Sequence, residues 1–210
     1  MKKIYVFDFD GTLVDSMPTW AETMIEILDY VGGRYPDDII NTLTPLGGVG
    51  CAKYLREKLN VNFTDEQFFQ TYFSYAIPKY HHKIKLKDRV FEGLNRLKNQ
   101  GFSLNVLTAS PHQTLDACLK NNGVYDFFDN VWSCDDFKMS KSNEKIYQLV
   151  AERLGCAVND IIFVDDNLLA LQTAKNAGTF TVGIYDAASN NYVDQIKKIV
   201  DKYALTFDEL

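Results

Sequence analysis

The sequence predicts a doubly wound, three-layer α/β core, Rossmann-like in its order of elements, with a helical segment inserted after the first strand. Short apolar runs that end in polar residues and precede a helical pattern predict buried parallel strands. These runs are Ile4–Phe7, Ser103–Leu107 and Ile161–Val164. Residues 16–85 show helical periodicity and no strand-like alternation. We therefore expect a core domain of residues 1–15 and 86–210 and a helical domain of residues 16–85.

The rest of the chain alternates between helical and strand-like patterns. Thr64 and Gln67 form a capping-box signal, which predicts a helix start within the insertion. The longer predicted helices cover residues 20–30, 50–59, 64–80 and 193–203, and shorter helical patterns surround Leu94, Leu115, Leu149 and Ala174. Further strands are predicted at Asn130–Cys134 and Thr179–Ile184.

Length and composition are typical of a globular chain. The 210 residues are 46% hydrophobic, enough for one substantial core and a small second module. The net charge of −6 at pH 7 argues against nucleic acid or an anionic membrane as a partner. No apolar run approaches the roughly 18 residues of a membrane span or the pattern of a signal peptide. Four scattered cysteines indicate reduced packing residues, so a cytoplasmic protein is expected, with its oligomeric state left open.

Two acidic residues stand where the first predicted strand ends. Asp8 and Asp10 flank Phe9, so their side chains are expected on the same side of an extended chain. Two such carboxylates perturb each other's pKa unless a cation, a proton or an anion-binding frame compensates, and a divalent metal is the simplest of these. Gly11 permits a sharp turn whose amides, including that of Thr12, can face an anion. The alternative is that these aspartates are ordinary turn or cap residues.

The run Asp8-Phe9-Asp10-Gly11-Thr12 resembles the first motif of the haloacid dehalogenase-like superfamily, whose phosphatases carry Asp-x-Asp-Gly-Thr. The resemblance implies that Asp8 is a nucleophile that forms a phosphoaspartate and that Asp10 is the general acid and base. It also implies that the metal is held by Asp8 and the backbone carbonyl of Asp10, with Gly11 and Thr12 at the substrate.

A second polar strand end follows at Thr108-Ala109-Ser110. A hydroxyl here can hydrogen-bond a phosphoryl oxygen, and the free amides at the start of the next helix can bind the same anion. Thr108 resembles the second motif of the family, which makes it a predicted catalytic residue and makes Ala109 and Ser110 predicted substrate contacts. A threonine before a helix is otherwise an ordinary cap.

A lysine before a predicted helix resembles the next family pattern. Lys141 and Ile146-Tyr147 match the family's lysine and Ile-Tyr pair at the expected offsets. Lys141 would then restrain the nucleophile and neutralise the phosphoryl group. The chain departs from the pattern at Ser142 and Glu144, where proline is usual, so the loop is expected to be stiffened differently. The nearby alternatives are Lys138 and Lys145.

The strand predicted at Ile161–Val164 ends in the adjacent acids Asp165 and Asp166. Many relatives have a Gly-Asp pair here and another acid four residues later, where this chain has Ala170. The resemblance therefore implies that the adjacent pair carries the metal charge, with Asp166 as a direct ligand and Asp165 binding directly or through water. A site of carboxylate and phosphate oxygens suits Mg²⁺, and no Cys or His cluster in the sequence offers a softer site.

The insertion resembles the cap domain of the family, whose closure excludes water and selects the leaving group. Gly47 lies in the glycine-rich stretch 44–50 and is a predicted substrate contact, although an ordinary glycine turn is the simpler explanation. The basic stretch 79–87, with His81 and His82, is interpreted as a solvated linker rather than a catalytic element.

The resemblance covers residues 3–184 and implies a magnesium-dependent phosphomonoester hydrolase. The start of the insertion at Asp15-Ser16-Met17-Pro18 is similar to phosphoglycolate phosphatases, so the expected substrate is a small phosphorylated metabolite such as phosphoglycolate or a sugar phosphate. A sugar phosphomutase of the same superfamily is the alternative, although Trp20 stands where such mutases tend to carry a histidine. A non-catalytic binding protein is the third alternative, which the presence of all the predicted catalytic residues disfavours.

Overall fold

The structure is a computed structural model that describes residues 4–32 and 34–210, apart from the side-chain surroundings of residues 45 and 47. Within the described residues, six parallel strands form one sheet. The strands are β1 (Ile4–Phe7), β2 (Ser103–Thr108), β3 (Asn130–Ser133), β4 (Ile161–Asp165), β5 (Phe180–Ile184) and β6 (Lys202–Ala204). The helices are α1 (Met17–Tyr30), α2 (Ile39–Leu43), α3 (Gly47–Lys58), α4 (Asp65–His82), α5 (Val90–Asn99), α6 (His112–Asn121), α7 (Lys145–Leu154), α8 (Leu168–Ala177) and α9 (Val193–Ile199).

The strand order is β3-β2-β1-β4-β5-β6, which is the order of a doubly wound α/β fold. The predicted fold class is therefore confirmed. β1 lies inside the sheet between β2 and β4, and all its residues are buried, as an unbroken apolar run predicts. Because the strands are parallel, the segments that follow β1, β2 and β4 converge at one edge of the sheet.

The chain divides into two compact units. The core unit consists of Met1–Asp15 and Lys85–Leu210, and the helical unit consists of Ser16–Ile84. The chain leaves and re-enters the core unit side by side, since the Asp15 amide donates to the Lys85 carbonyl at 3.0 Å. Val14 and Leu86 form an antiparallel bridge next to this bond. The helical unit is thus an insertion whose two connecting segments are hydrogen-bonded to each other.

The helical unit has its own hydrophobic core, built from apolar side chains of α1, α2, α3 and α4. The helix start predicted at Thr64 is confirmed. The Thr64 hydroxyl accepts a hydrogen bond from the Gln67 amide at 3.1 Å, and the Gln67 side chain accepts one from the Thr64 amide at 2.9 Å. No helix among the described residues is long and apolar enough to cross a membrane.

The interpretation of residues 79–87 as a solvated linker is wrong. The stretch begins inside α4, which runs through His82. The Lys79 side chain is only 15% exposed and pairs with Glu26 at 2.7 Å. Lys87 is 18% exposed and pairs with Asp186 at 2.8 Å. These two lysines therefore neutralise carboxylates within their own units instead of facing water.

The chain end also differs from the prediction. Helix α9 ends at Ile199, and β6 follows it in place of a helix that continues to Tyr203. The change of direction is stabilised at Asp201, whose carboxylate accepts from the Thr181 amide at 2.8 Å and from the Thr181 hydroxyl at 3.0 Å. Pairing with β5 thus replaces the last predicted helical turn.

We expect the replacement Thr64→Ala to destabilise the helical unit, because α4 loses the hydroxyl that satisfies the Gln67 amide. Loss of such a cap lowers the free energy of unfolding by about 1 kcal/mol. Urea denaturation followed by circular dichroism measures the change as a lower midpoint. Thr64→Ser keeps the hydroxyl and is the matched control. An unchanged midpoint in Thr64→Ala would show that the cap contributes nothing to stability.

Candidate active site

Three buried carboxylates meet at the carboxyl edge of the sheet, those of Asp8, Asp165 and Asp166. Asp8 directly follows β1, Asp165 ends β4 and Asp166 comes next. One oxygen of each lies within 4.8 Å of the others. β1 and β4 pair in register, and the Asp8 amide donates to the Val164 carbonyl at 2.9 Å. The sheet itself therefore sets the spacing of this carboxylate cluster.

Lys141 bridges two of these carboxylates. Its Nζ donates to Asp8 Oδ1 at 2.5 Å and to Asp165 Oδ2 at 2.7 Å. The Lys141 side chain is 13% exposed. The alternative lysines, Lys138 and Lys145, are exposed. Of the lysines considered from the sequence, Lys141 is therefore the one that the structure brings to Asp8.

Hydrogen bonds hold the segment that carries Lys141. The Ser140 and Ser142 hydroxyl oxygens are 2.7 Å apart. The Asn143 side chain accepts from the first amide of α7 at 3.0 Å. The buried Tyr147 hydroxyl lies 3.0 Å from the Lys141 carbonyl oxygen, to which it donates. Helix α7 therefore fixes the backbone position of the lysine.

Full ionisation of the cluster is disfavoured by burial and by mutual repulsion. Burial, together with the neighbouring Asp165 carboxylate, raises the pKa of Asp166 to about 7. Burial also raises the pKa of Asp8 well above its usual range, against the opposing effect of Lys141. Burial alone would lower the pKa of Lys141, but the carboxylates of Asp165 and Asp8 outweigh it and raise that pKa. With one lysine beside them, three ionised carboxylates would carry an excess of negative charge that a bound cation would compensate.

The donor set fits a hard divalent cation such as Mg²⁺. All three groups of the cluster offer carboxylate oxygens, with no His or Cys among them. Both Asp165 oxygens are already hydrogen-bonded, Oδ2 to Lys141 and Oδ1 to the Asn167 amide at 2.7 Å. Asp166 instead accepts from neutral hydroxyls, those of Thr12 at 3.3 Å and Ser189 at 2.6 Å.

The turn after β1 packs directly against Asp166. Gly11 has φ +79°, in the left-handed region that glycine adopts readily. A Cβ at this position would lie 2.8 Å from Asp166 Oδ1. Thr12 is fully buried beside it. Glycine is therefore required here both by the backbone conformation and by the close carboxylate.

The Asp10 carboxylate contacts the segment that follows β2. The Ser110 hydroxyl donates to Asp10 Oδ2 at 2.5 Å. The Ser110 amide donates to the Thr108 hydroxyl oxygen at 3.1 Å. Ala109 lies between these two residues, and α6 starts at His112. Ser110 thus joins Asp10 to the segment that carries Thr108.

Gly47, a predicted substrate contact, is the first residue of α3 in the helical unit. Residues Thr44–Leu46 form a short 3₁₀ helix that leads directly into α3. The glycine-rich stretch is therefore largely helical and not an open turn. The substrate contacts of Gly47, Gly11, Thr12, Ala109 and Ser110 stay predictions.

Several residues around the carboxylates were not predicted from the sequence. Asn167 and Ser189 donate to the cluster itself, whereas Lys87 pairs with Asp186 and donates to the Gly11 carbonyl beside it. The Asn167 side chain accepts from the amides of Leu169 and Ala170, and an asparagine before a helical run is a recognisable N-cap signal. Ser189 and Lys87 carry no local signal, because their carboxylate partners lie 23 and 99 residues away in the chain.

Comparison with known proteins identifies relatives over most of the chain. A sequence model of the haloacid dehalogenase-like hydrolases matches residues 5–184. The pyrophosphatase PpaX of Bacillus velezensis is 28% identical over 186 residues, which cover 85% of this chain and 81% of the relative. A phosphoglycolate phosphatase of Psychrobacter arcticus is 25% identical and covers 94% of this chain and 89% of its own length. These relatives confirm the predicted enzyme class, a phosphatase.

A solved structure has a similar fold. The crystal structure of a predicted phosphoglycolate phosphatase from Haemophilus somnus superposes with a TM-score of 0.86 at 22% identity, covering 99% of this chain and 96% of that one. At this identity the likeness concerns the fold alone. The sequence model of the family covers residues 5–184, which is well over half of the chain. The chain therefore belongs to the haloacid dehalogenase-like hydrolase family.

Proposed function

We propose that the protein is a magnesium-dependent phosphomonoester hydrolase that acts through a phosphoaspartate on Asp8. The observation that carries this proposal is the contact of the buried Asp8 carboxylate with Lys141 at 2.5 Å, beside two further acids. A carboxylate held by a lysine is suited to attack phosphorus, because the same lysine can neutralise the phosphoryl oxygens as they arrive.

Asp8 supplies the nucleophile of the first step. One of its carboxylate oxygens forms a bond to phosphorus while the bond from phosphorus to the ester oxygen breaks in line. Lys141 restrains Asp8 through Oδ1, which limits rotation of the carboxylate. Lys141 and the buried Thr108 hydroxyl are proposed to hold the phosphoryl group during the transfer.

Asp10 moves the protons of both steps. Its carboxyl group protonates the leaving alkoxide when the phosphoaspartate forms. The resulting carboxylate then takes a proton from the water that attacks phosphorus, and Asp8 is released with inorganic phosphate. The hydrogen bond from Ser110 at 2.5 Å orients the Asp10 side chain for this role. Asp10 loses and regains one proton in each cycle and therefore ends the cycle in the protonation state in which it began.

Asp8, Asp166 and the backbone carbonyl of Asp10 are proposed to hold Mg²⁺. Asp165 is already paired with Lys141, whereas the hydrogen-bond partners of Asp166 are neutral, which favours Asp166 as the direct ligand. When bound, the ion supplies positive charge to the phosphoryl oxygens and offsets the carboxylate charge. Asp165 then acts mainly by fixing the position of Lys141.

The proposed substrate is a small phosphorylated metabolite of the phosphoglycolate or sugar phosphate kind. The relative from Psychrobacter arcticus, named a phosphoglycolate phosphatase, supports this class. The relative from Bacillus velezensis is named a pyrophosphatase, so inorganic pyrophosphate belongs in any substrate panel. We further propose that the helical unit is the cap that selects the substrate, with Gly47 among its contacts.

We expect Asp8→Asn to lower phosphate release by about a thousandfold or more, because an amide does not replace the carboxylate nucleophile. The measurement is phosphate release from a panel of phosphomonoesters and pyrophosphate, with and without Mg²⁺. Asp194→Asn, an exposed change in the same unit, is the control and should keep the wild-type rate. Activity retained in Asp8→Asn would refute the assignment of Asp8 as the nucleophile. Isomerisation of a sugar phosphate by the wild type without phosphate release would identify a mutase instead.

We expect Asp166→Asn to raise the Mg²⁺ concentration needed for half-maximal activity by about tenfold or more, because it removes a charged ligand oxygen. The measurement is the rate as a function of Mg²⁺ concentration. Asp165→Asn is the matched variant, and it should mainly lower the maximal rate because it loosens Lys141. An unchanged Mg²⁺ response in Asp166→Asn, with a weakened one in Asp165→Asn, would reverse the two assignments.

A further inference from the structure

Lys87 lies outside the motifs that the proposed function uses, yet its ammonium group is fully engaged. It donates to the Gly11 carbonyl at 2.5 Å, to the Tyr185 carbonyl at 2.6 Å and to Asp186 Oδ2 at 2.8 Å. The side chains of Lys87 and Asp186 are 18% and 6% exposed. An ammonium has three N–H donors, so these acceptors fix the group in place.

The first acceptor belongs to the turn that follows β1. The Gly11 carbonyl precedes Thr12, whose hydroxyl donates to Asp166 Oδ1 at 3.3 Å. The Gly11 Cα lies so close that a Cβ on it would be 2.8 Å from the same oxygen. By holding the Gly11 carbonyl, Lys87 therefore fixes one surface against which Asp166 rests.

The other two acceptors belong to the segment that follows β5. Asp186 Oδ1 accepts from the Ala188 amide at 2.9 Å, which starts the 3₁₀ turn Ala187–Tyr192. On this turn the Ser189 hydroxyl donates to Asp166 Oδ2 at 2.6 Å. Lys87 therefore also supports Ser189, whose hydroxyl donates to the second carboxylate oxygen of Asp166.

We propose that Lys87 is a positioning residue for Asp166. It joins the turn after β1 to the segment after β5, so that the two hydroxyl donors hold the Asp166 carboxylate in one orientation towards the cation. The inference rests on the proposed function, which makes Asp166 a ligand of Mg²⁺. Groups that hydrogen-bond a metal ligand contribute about 10- to 100-fold to metal affinity, and Lys87 acts through two such groups, so we expect an effect at the lower end of that range.

The test is the affinity of the full-length chain for Mg²⁺ itself. Lys87→Met keeps most of the side-chain length and removes the ammonium, and calorimetric titration of the metal-free variant should give a dissociation constant raised about tenfold or more. Lys175→Met removes another lysine–carboxylate pair of the core unit, that with Asp201, and should bind Mg²⁺ as the wild type does. In turnover assays Lys87→Met should need more Mg²⁺ but keep a near wild-type kcat at saturation.

A second variant separates positioning from folding. Lys87→Met leaves the buried Asp186 carboxylate without its cation, which destabilises the fold. The double variant Lys87→Met/Asp186→Asn removes that charge and should regain thermal stability while Mg²⁺ affinity stays low. If the double variant regains both thermal stability and Mg²⁺ affinity, the role of Lys87 is purely structural and the inference is overturned. Wild-type Mg²⁺ affinity in folded Lys87→Met would also overturn it.

Asp166→Asn in the same titration distinguishes a failure of the metal-ligand assignment from a failure of the role of Lys87. If it binds Mg²⁺ as tightly as the wild type, the ligand assignment of the proposed function fails. If it binds weakly while Lys87→Met binds normally, the proposed function stands and the role of Lys87 alone is refuted.

Discussion

The burial of like charge at one edge of the sheet is the constraint on which the rest of the site depends. Asp8, Asp165 and Asp166 are all buried, and their oxygens approach within 4.8 Å. Such an arrangement is stable only when each carboxylate is supplied with donors or a cation. Lys141, the amide of Asn167 and two hydroxyls meet part of that requirement. The negative charge that these groups would leave uncompensated makes this edge of the sheet suitable for a metal ion and an anionic ligand.

The parallel sheet holds these carboxylates close together. β1 is hydrogen-bonded on both sides, so Asp8 has little freedom of position. Lys141 lies 133 residues from Asp8 in the chain, yet α7 places it through the buried Tyr147. Packing energy spread over the core therefore maintains a geometry that a few isolated residues in a loop would not hold.

Local patterns predicted most of the fold and placed acidic residues at the ends of β1 and β4, because strand runs, the Thr64 cap and polar strand ends each depend on a few consecutive residues. The helix predicted through Tyr203 is wrong because apolar spacing does not distinguish a helix end from a short strand, and pairing with β5 decides between them. The role of Lys87 was not predictable from charge composition, since its partner Asp186 is distant in the chain. Long-range pairing, which leaves no local pattern, accounts for both failures.

The hydrogen-bonded pair of segments that leads into and out of the helical unit has a consequence for how such a chain can diversify. Because Asp15 and Lys85 are already adjacent, the length of the chain between them does not affect the pairing of the strands in the sheet. The entropic cost of a longer insert also grows only slowly with its length. The core unit can therefore accept inserts of other lengths and folds at this point, and modular exchange there would leave the carboxylate edge intact.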